Sequence, residues 1–276
     1  MSNPLTANIL SLAELAGTDL GTRTVSYDDT AAILYALAVG ATATDLDLVY
    51  ERDLRTLPTY ACALGLWAVE AAGRLGAYDP TRSLHASQRL VVRAEMPPGG
   101  EIPMTGRIGN VYDKGKASLV EVGVTSPYFE ATYSIFLPGT GGWGGDRGPA
   151  TAAADPVPLT NATLVPTSPD LAALYRLTGD RHPVHIDTTV AESNGFARPI
   201  LHGLCTVGIA TRVIAAQVGA HPAELRELQV RLAAPVLPGD ILEVLSGTRD
   251  DEVHFEVRVG ETTVLSGGRA RFGPIR

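Results

Sequence analysis

A carboxylate and an imidazole, Asp180 and His185, flank Pro183 in the stretch Tyr-Arg-Leu-Thr-Gly-Asp-Arg-His-Pro-Val-His-Ile-Asp that begins at Tyr175. Held together by a proline-stiffened loop, such a pair can accept, donate or share a water proton near neutral pH. Taken alone, Asp180 equally suits a turn after Gly179, and His185 a packed loop edge. Downstream, Pro199-Ile200-Leu201-His202-Gly203-Leu204 leads into a helix with glycine in its first turn. First-turn amides lack internal partners and carry the positive end of the helix dipole. The Gly203 N–H can therefore face an oxygen that gains charge during a reaction. A glycine there equally suits close helix packing, and His202 a backbone cap.

Other chemistries find less support. His182, His185 and Asp187 offer three metal donors close in sequence, but without the i, i+4 histidine pair of zinc peptidases or a fourth ligand, so no metal is assigned. Neither cysteine has an evident base partner, and no Gly-x-Ser-x-Gly elbow occurs. No Walker loop occurs, nor a Gly-x-Gly-x-x-Gly turn that joins a strand to a helix.

The elements that must position these residues come in two related sets. Met96-Pro97-Pro98-Gly99-Gly100-Glu101-Ile102 is echoed by Val236-Leu237-Pro238-Gly239-Asp240-Ile241, and Val120 to Val124 by Phe255 to Val259, in the same order. A duplication follows, with the hairpin turn from Asn110 to Ser118 longer in the first copy. Between the copies, Gly139 to Asp155 is rich in glycine and small residues, a composition that reads as a linker with little to bury. The division is therefore 1–138, 139–155 and 156–276. In the first part, helices are predicted over Asp28 to Gly40 and Thr59 to Leu75, ahead of strands near Leu90 to Ala94, Ile102 to Val111, Leu119 to Val124 and Ala131 to Leu137. In the second, Leu204, Val207, Gly208, Thr211, Ile214, Ala215 and Val218 predict a long helix over His202 to Gly219, buried on one face. Strands near Leu228 to Ala233, Ile241 to Gly247, Val253 to Val259 and Thr263 to Phe272 follow it. An α+β arrangement results, a curled antiparallel sheet around a helix in each half.

Composition narrows the partners. The 276 residues are 45% hydrophobic and 19% charged, as expected of a globular chain, and the formal charge of -8 disfavours nucleic acid. Cys62 and Cys205 each sit in an apolar run and read as buried free thiols in a reducing compartment. Met1 to Ala16 lacks the pattern of a secretory leader, and no apolar run is long enough to span a membrane. The terminal Gly-Pro-Ile-Arg differs from a Ser-Lys-Leu address, so a cytoplasmic location is expected.

The stretch from Tyr175 to Leu204 resembles the signature of the MaoC-like, or hydratase 2, enoyl-CoA hydratases: Tyr-Arg-Leu-Ser-Gly-Asp-x-Asn-Pro-Leu-His-x-Asp, then Gly-Phe-x-x-Pro-Ile-Leu-His-Gly-Leu. The runs Leu34 to Gly40, Leu48 to Glu51 and Leu57 to Tyr60 resemble the N-terminal repeat of the two-repeat members. The resemblance implies a double hotdog, two curled sheets each around a long helix. It also implies hydration of a trans-2-enoyl-CoA to the (R)-3-hydroxyacyl-CoA, or the reverse dehydration. Asp180 and His185 take the acid–base roles and the Gly203 amide the thioester oxygen. Tyr175, His182, His202 and Arg198 become candidate substrate contacts, with Arg93, Arg181, Arg198 and Arg212 as candidates for the coenzyme A phosphates. No metal or redox cofactor is implied, coenzyme A being part of the acyl-CoA substrate, and a homodimer is expected. His182 departs from the family's Asn. Leu84-His85-Ala86-Ser87-Gln88 departs from Leu-His-Gly-Glu-Gln, so the first half is expected to be catalytically silent and to shape the acyl pocket. A branched or dicarboxylic substrate of the mesaconyl-CoA type, or a non-catalytic acyl-thioester binding subunit, are the competing readings.

Overall fold

The structure, a computed structural model, describes residues 11–76, 78–79, 82–149 and 156–274. Among the described residues there are ten strands and seven α-helices. The first half holds β1 (Asp19–Tyr27), α1 (Asp29–Ala38), α2 (Leu46–Val49), α3 (Tyr60–Leu64), α4 (Trp67–Arg74), β2 (Leu84–Val92), β3 (Gly100–Asp113), β4 (Ala117–Thr125) and β5 (Phe129–Pro138). The second holds β6 (Asn161–Pro166), α5 (Leu171–Tyr175), α6 (Thr188–Ser193), α7 (Gly203–Gln217), β7 (Leu225–Leu232), β8 (Ile241–Arg249), β9 (Glu252–Val259) and β10 (Thr262–Phe272).

The strands join in the order β1-β3-β4-β5-β2-β7-β10-β9-β8-β6, all antiparallel. Replacing each second-half strand by its counterpart in the first half makes that order palindromic. Duplication is therefore visible as topology, with a pseudo-twofold axis between β2 and β7. There Leu90 lies opposite Leu228 and Gln88 opposite Val230, so the two expected sheets fuse edge to edge. The junction satisfies backbone groups that two separate sheets would expose. The architecture is an α+β double hotdog, its inward positions set by alternation such as Ile102, Met104 and Ile108 along β3.

The periodicity of α7 predicted one buried face, yet the helix is buried almost all round, Cys205, Ile209 and Ala210 included. The second-half sheet covers one side, and α1 and α3 of the first half lie against the other. Close approach needs small residues. A methyl on Gly208 would lie 2.5 Å from Val39 Cγ1, and the Cys205 thiol donates to the Ala38 carbonyl at 3.4 Å. Gly208→Ala should lower the thermal midpoint: overpacking costs about 1–3 kcal/mol, against a helix-propensity gain of at most about 1 kcal/mol. Adding Val39→Ala should restore most of the loss, and an unchanged midpoint in the single variant would show that this contact yields easily. Burial pushes the Cys62 thiol up to about 12 and raises that of Cys205 as well, so both stay protonated.

The helix predicted over Thr59 to Leu75 is broken in two at Gly65 and Leu66. Tyr133 of β5 is the cause. Its hydroxyl donates to the Cys62 carbonyl at 2.7 Å, taking an acceptor from the helical ladder, and it occupies the space a Gly65 side chain would need. Edge strands β1 and β6 were not predicted.

The first part of the expected linker is not a loose connector. Trp143 packs against the core and donates its indole N–H to Ser118 Oγ, while Asp113 accepts from the Gly142 and Gly144 amides. Residues 150–155 of that segment lie outside the described residues, as do residues 1–10 and the last two of the chain. Among the described residues no helix is long and apolar enough to cross a membrane.

Candidate active site

After α5 the chain makes a short 3-10 turn, Arg176–Thr178, and reverses at Gly179, whose φ of 140° lies outside the range comfortable for other residues. That reversal sets Asp180 at the mouth of the fold. Its Oδ1 accepts from the His182 amide at 3.0 Å, an Asx turn that leaves Oδ2 free. Pro183–His185 forms a second 3-10 turn, capped by His182, whose Nδ1 accepts from the Val184 amide. The capping role explains why an amide side chain and an imidazole can exchange at this position: both offer an acceptor there.

His185 is buried, and its Nδ1–H donates to the Ile200 carbonyl at 2.8 Å, since a carbonyl can only accept. Nε2 is left with its lone pair, 3.9 Å from Asp180 Oδ2. That gap exceeds a direct hydrogen bond and is one that a shared water bridges. Burial lowers the His185 pKa, with the Asp180 charge pulling in the opposite direction. The imidazole is therefore neutral near pH 7, as a base must be. Gly203 opens α7, and its N-cap, His202, makes no side-chain cap bond. The Gly203 amide is thus open to an oxygen, while the Cys205 amide already donates to the His202 carbonyl. A methyl at Gly203 would lie 2.1 Å from Leu232 Cδ2.

Two expected substrate contacts need correction. Tyr175 is 0% exposed and His202 1%, so neither reaches the mouth of the site. Both lie behind His185: the His202 ring stacks on it at 3.7 Å between centroids, and Tyr175 packs on His202 at 4.8 Å. Sequence spacing could not show which side of the loop they face. Arg198 is exposed on the loop ahead of Pro199, and Arg181 is exposed beside Asp180. Arg93 is paired with Glu130 at 2.9 Å, and Arg212 ties Asp45 and the Val39 carbonyl, so these two are committed internally. Arg181 and Arg198 remain as candidates for phosphate.

Asp180, His185 and His202 bring donor atoms within 4.8 Å of one another. The set differs from the His182, His185 and Asp187 trio weighed from the sequence. Stacked rings aim their in-plane lone pairs side by side rather than at one centre, and His202 Nε2 already donates to the Asp180 carbonyl. Proton transfer suits these groups better than a metal ion.

A cleft of about 780 Å³ opens alongside, walled by Tyr27, Tyr60, Leu64 and Trp67 of the first half and by Thr178 and Gly179 of the second. The broken helix forms part of its wall. His85, assigned by sequence to the silent half, also approaches the site. Burial pushes its pKa down to about 4, and the Asp180 charge partly opposes that shift.

The chain is similar to known proteins in sequence and in fold. A family model for the MaoC like domain matches residues 151–268, and one for the MFE-2 hydratase 2 N-terminal domain matches residues 25–137. The 3-hydroxyacyl-thioester dehydratase Y of Mycobacterium tuberculosis is 35% identical over 236 residues, covering 79% of this chain and 81% of that protein. The peroxisomal multifunctional enzyme type 2 of Mus musculus is 34% identical over 256 residues; they cover 86% of this chain but only 35% of that longer protein. A crystal structure of a MaoC-like dehydratase from Phytophthora capsici superposes with a TM-score of 0.84 at 26% identity, covering 96% of this chain and 99% of that one.

Proposed function

The chain belongs to the MaoC-like hydratase 2 family, and from that premise we propose that it is a hydro-lyase adding water across the 2,3 double bond of a trans-2-enoyl-CoA to give the (R)-3-hydroxyacyl-CoA. The observation that carries this reading is the placement of a free carboxylate oxygen and a free imidazole lone pair 3.9 Å apart, close to an uncapped helix start. Water held between Asp180 Oδ2 and His185 Nε2 gives up a proton to the pair as its oxygen bonds to C3. The double-bond electrons shift toward the thioester oxygen, which the Gly203 N–H stabilises. The same pair then returns a proton to C2, so atoms and charge balance without an electron acceptor. The cleft beside Gly179 takes the acyl chain, and Arg181 and Arg198 take the coenzyme A phosphates.

Loss of enoyl-thioester absorbance across a panel of acyl-CoA lengths tests the reading. Turnover of at least one member is expected; tight acyl-CoA binding without turnover of any would favour a binding subunit instead. The pH dependence adds a check. Because burial lowers the His185 pKa, the acid limb of kcat/KM should have its midpoint below the ordinary histidine value of 6.5. A midpoint at or above that value would remove His185 as the base.

A second reading has one observation behind it. Arg23 and Arg181 both line the cleft, and among the described residues neither is ion-paired. Asp28 and Glu70 line it too, but Asp28 caps α1 and Glu70 pairs with Arg74. In this reading Arg23 and Arg181 face a carboxylated acyl group, and Arg198 alone is left for the coenzyme A phosphates. The panel should therefore include a dicarboxylic enoyl-CoA.

A further inference from the structure

His202 lies outside the reaction just described, yet it touches every part of it. Its Nε2–H donates to the main-chain carbonyl of Asp180 at 3.1 Å, across the loop that carries the acid. Its ring stacks on His185 at 3.7 Å with an interplanar angle of 25°, and Tyr175 packs against it in a tilted arrangement, 4.8 Å between centroids. Its own backbone precedes Gly203, and its carbonyl accepts from the Cys205 and Thr206 amides of the first turn of α7. A single buried side chain is thus hydrogen-bonded to the acid's backbone, stacked on the base and covalently joined to the oxyanion donor.

We propose that His202 is a positioning residue, a buried wedge that sets the register between the Asp180–His185 pair and the Gly203 amide. The inference rests on the hydratase reading. Three arguments support it. Asp180 and Gly203 belong to different segments, and the 3.1 Å hydrogen bond from the His202 side chain to the Asp180 carbonyl is a direct tie between them. The stack fixes the plane of the His185 ring, on which the direction of the Nε2 lone pair depends, while the bond to Ile200 fixes only its Nδ1 end. Finally, His202 is suited to staying neutral: burial and the adjoining imidazole push its pKa down to about 3. A neutral ring can press against the base without competing for its proton.

Two substitutions separate the contacts. His202→Phe keeps the stack and loses the donor; His202→Gln places an amide nitrogen near the former Nε2 and loses the ring. Each should lower kcat by roughly tenfold or more while KM and the Kd for a saturated acyl-CoA stay within about twofold, because angstrom-scale misplacement of reacting groups costs rate rather than binding. His202→Asn, with neither contact, should lose roughly 10²-fold in kcat. A merely structural role would show as a lower thermal midpoint and weaker acyl-CoA binding, with kcat of the folded fraction unchanged. That result, or wild-type kcat in both the Phe and Gln variants, overturns the proposal. A wild-type protein that hydrates no enoyl-CoA is a different failure, that of the hydratase reading, and is seen before any variant is made.

Discussion

Asp180→Asn should cut kcat for enoyl-CoA hydration by roughly 10²- to 10⁴-fold, the contribution of one positioned acid–base group. The substitution is conservative where it needs to be. Asn keeps an oxygen able to accept from the His182 amide, so the Asx turn that shapes the loop survives. What disappears is the charge on Oδ2, the atom 3.9 Å from His185 Nε2. His185→Asn is the matching test, since its amide nitrogen can still donate to the Ile200 carbonyl as Nδ1 does, while no basic nitrogen remains. If the two side chains share one water, the double variant should be little worse than the poorer single one, as for residues that act as a unit. Additive losses would mean two separate tasks. The residual activity of Asp180→Asn carries its own signature. The Asp180 charge raises the His185 pKa, so removing it should move the acid limb of kcat/KM further down. Wild-type turnover in Asp180→Asn would take that residue out of the chemistry.

Why some of this could be read from the sequence, and some not, follows from where each feature is encoded. The loop and helix start that carry Asp180, His185 and Gly203 were legible because they are local in sequence, punctuated by Gly179, Pro183 and Pro199. The strands β3, β4, β8 and β9 were legible because one face is buried and alternation records it. Edge strands β1 and β6 are exposed along most of their length, leaving no alternation to read. The break at Gly65 is imposed by Tyr133, a residue distant in sequence, and no window around Thr59 to Leu75 contains it. Trp143 sits in a glycine-rich segment whose average composition hides a single anchoring side chain. Tyr175 and His202 share the same lesson. Spacing within a motif does not record which of its side chains the fold closes over completely.

The second large effect is expected at Gly203, whose amide is the proposed oxyanion donor. Ala would be an ordinary helix residue, so backbone conformation raises no objection. The obstacle is Leu232 at the end of β7, whose Cδ2 lies 2.1 Å from where the new methyl would sit. Either the leucine turns away or the first turn of α7 shifts. Leu232 is partly exposed and its Cγ lies 3.5 Å off, so some turning is available, but the remaining shift falls on the segment that aims the N–H. Displacement of this order at a reacting group costs roughly 10²-fold, comparable to losing an oxyanion donor. Gly203→Ala should therefore lower kcat by about that factor, with KM changed far less. Adding Leu232→Ala removes the colliding atoms and should recover most of the rate. That double variant separates two explanations. Recovery means that Leu232 displaced the donor; persistent loss at wild-type stability means that the methyl itself occupies the space the thioester oxygen needs. Full activity in Gly203→Ala alone would leave the glycine a packing residue and remove its amide as the site of charge stabilisation.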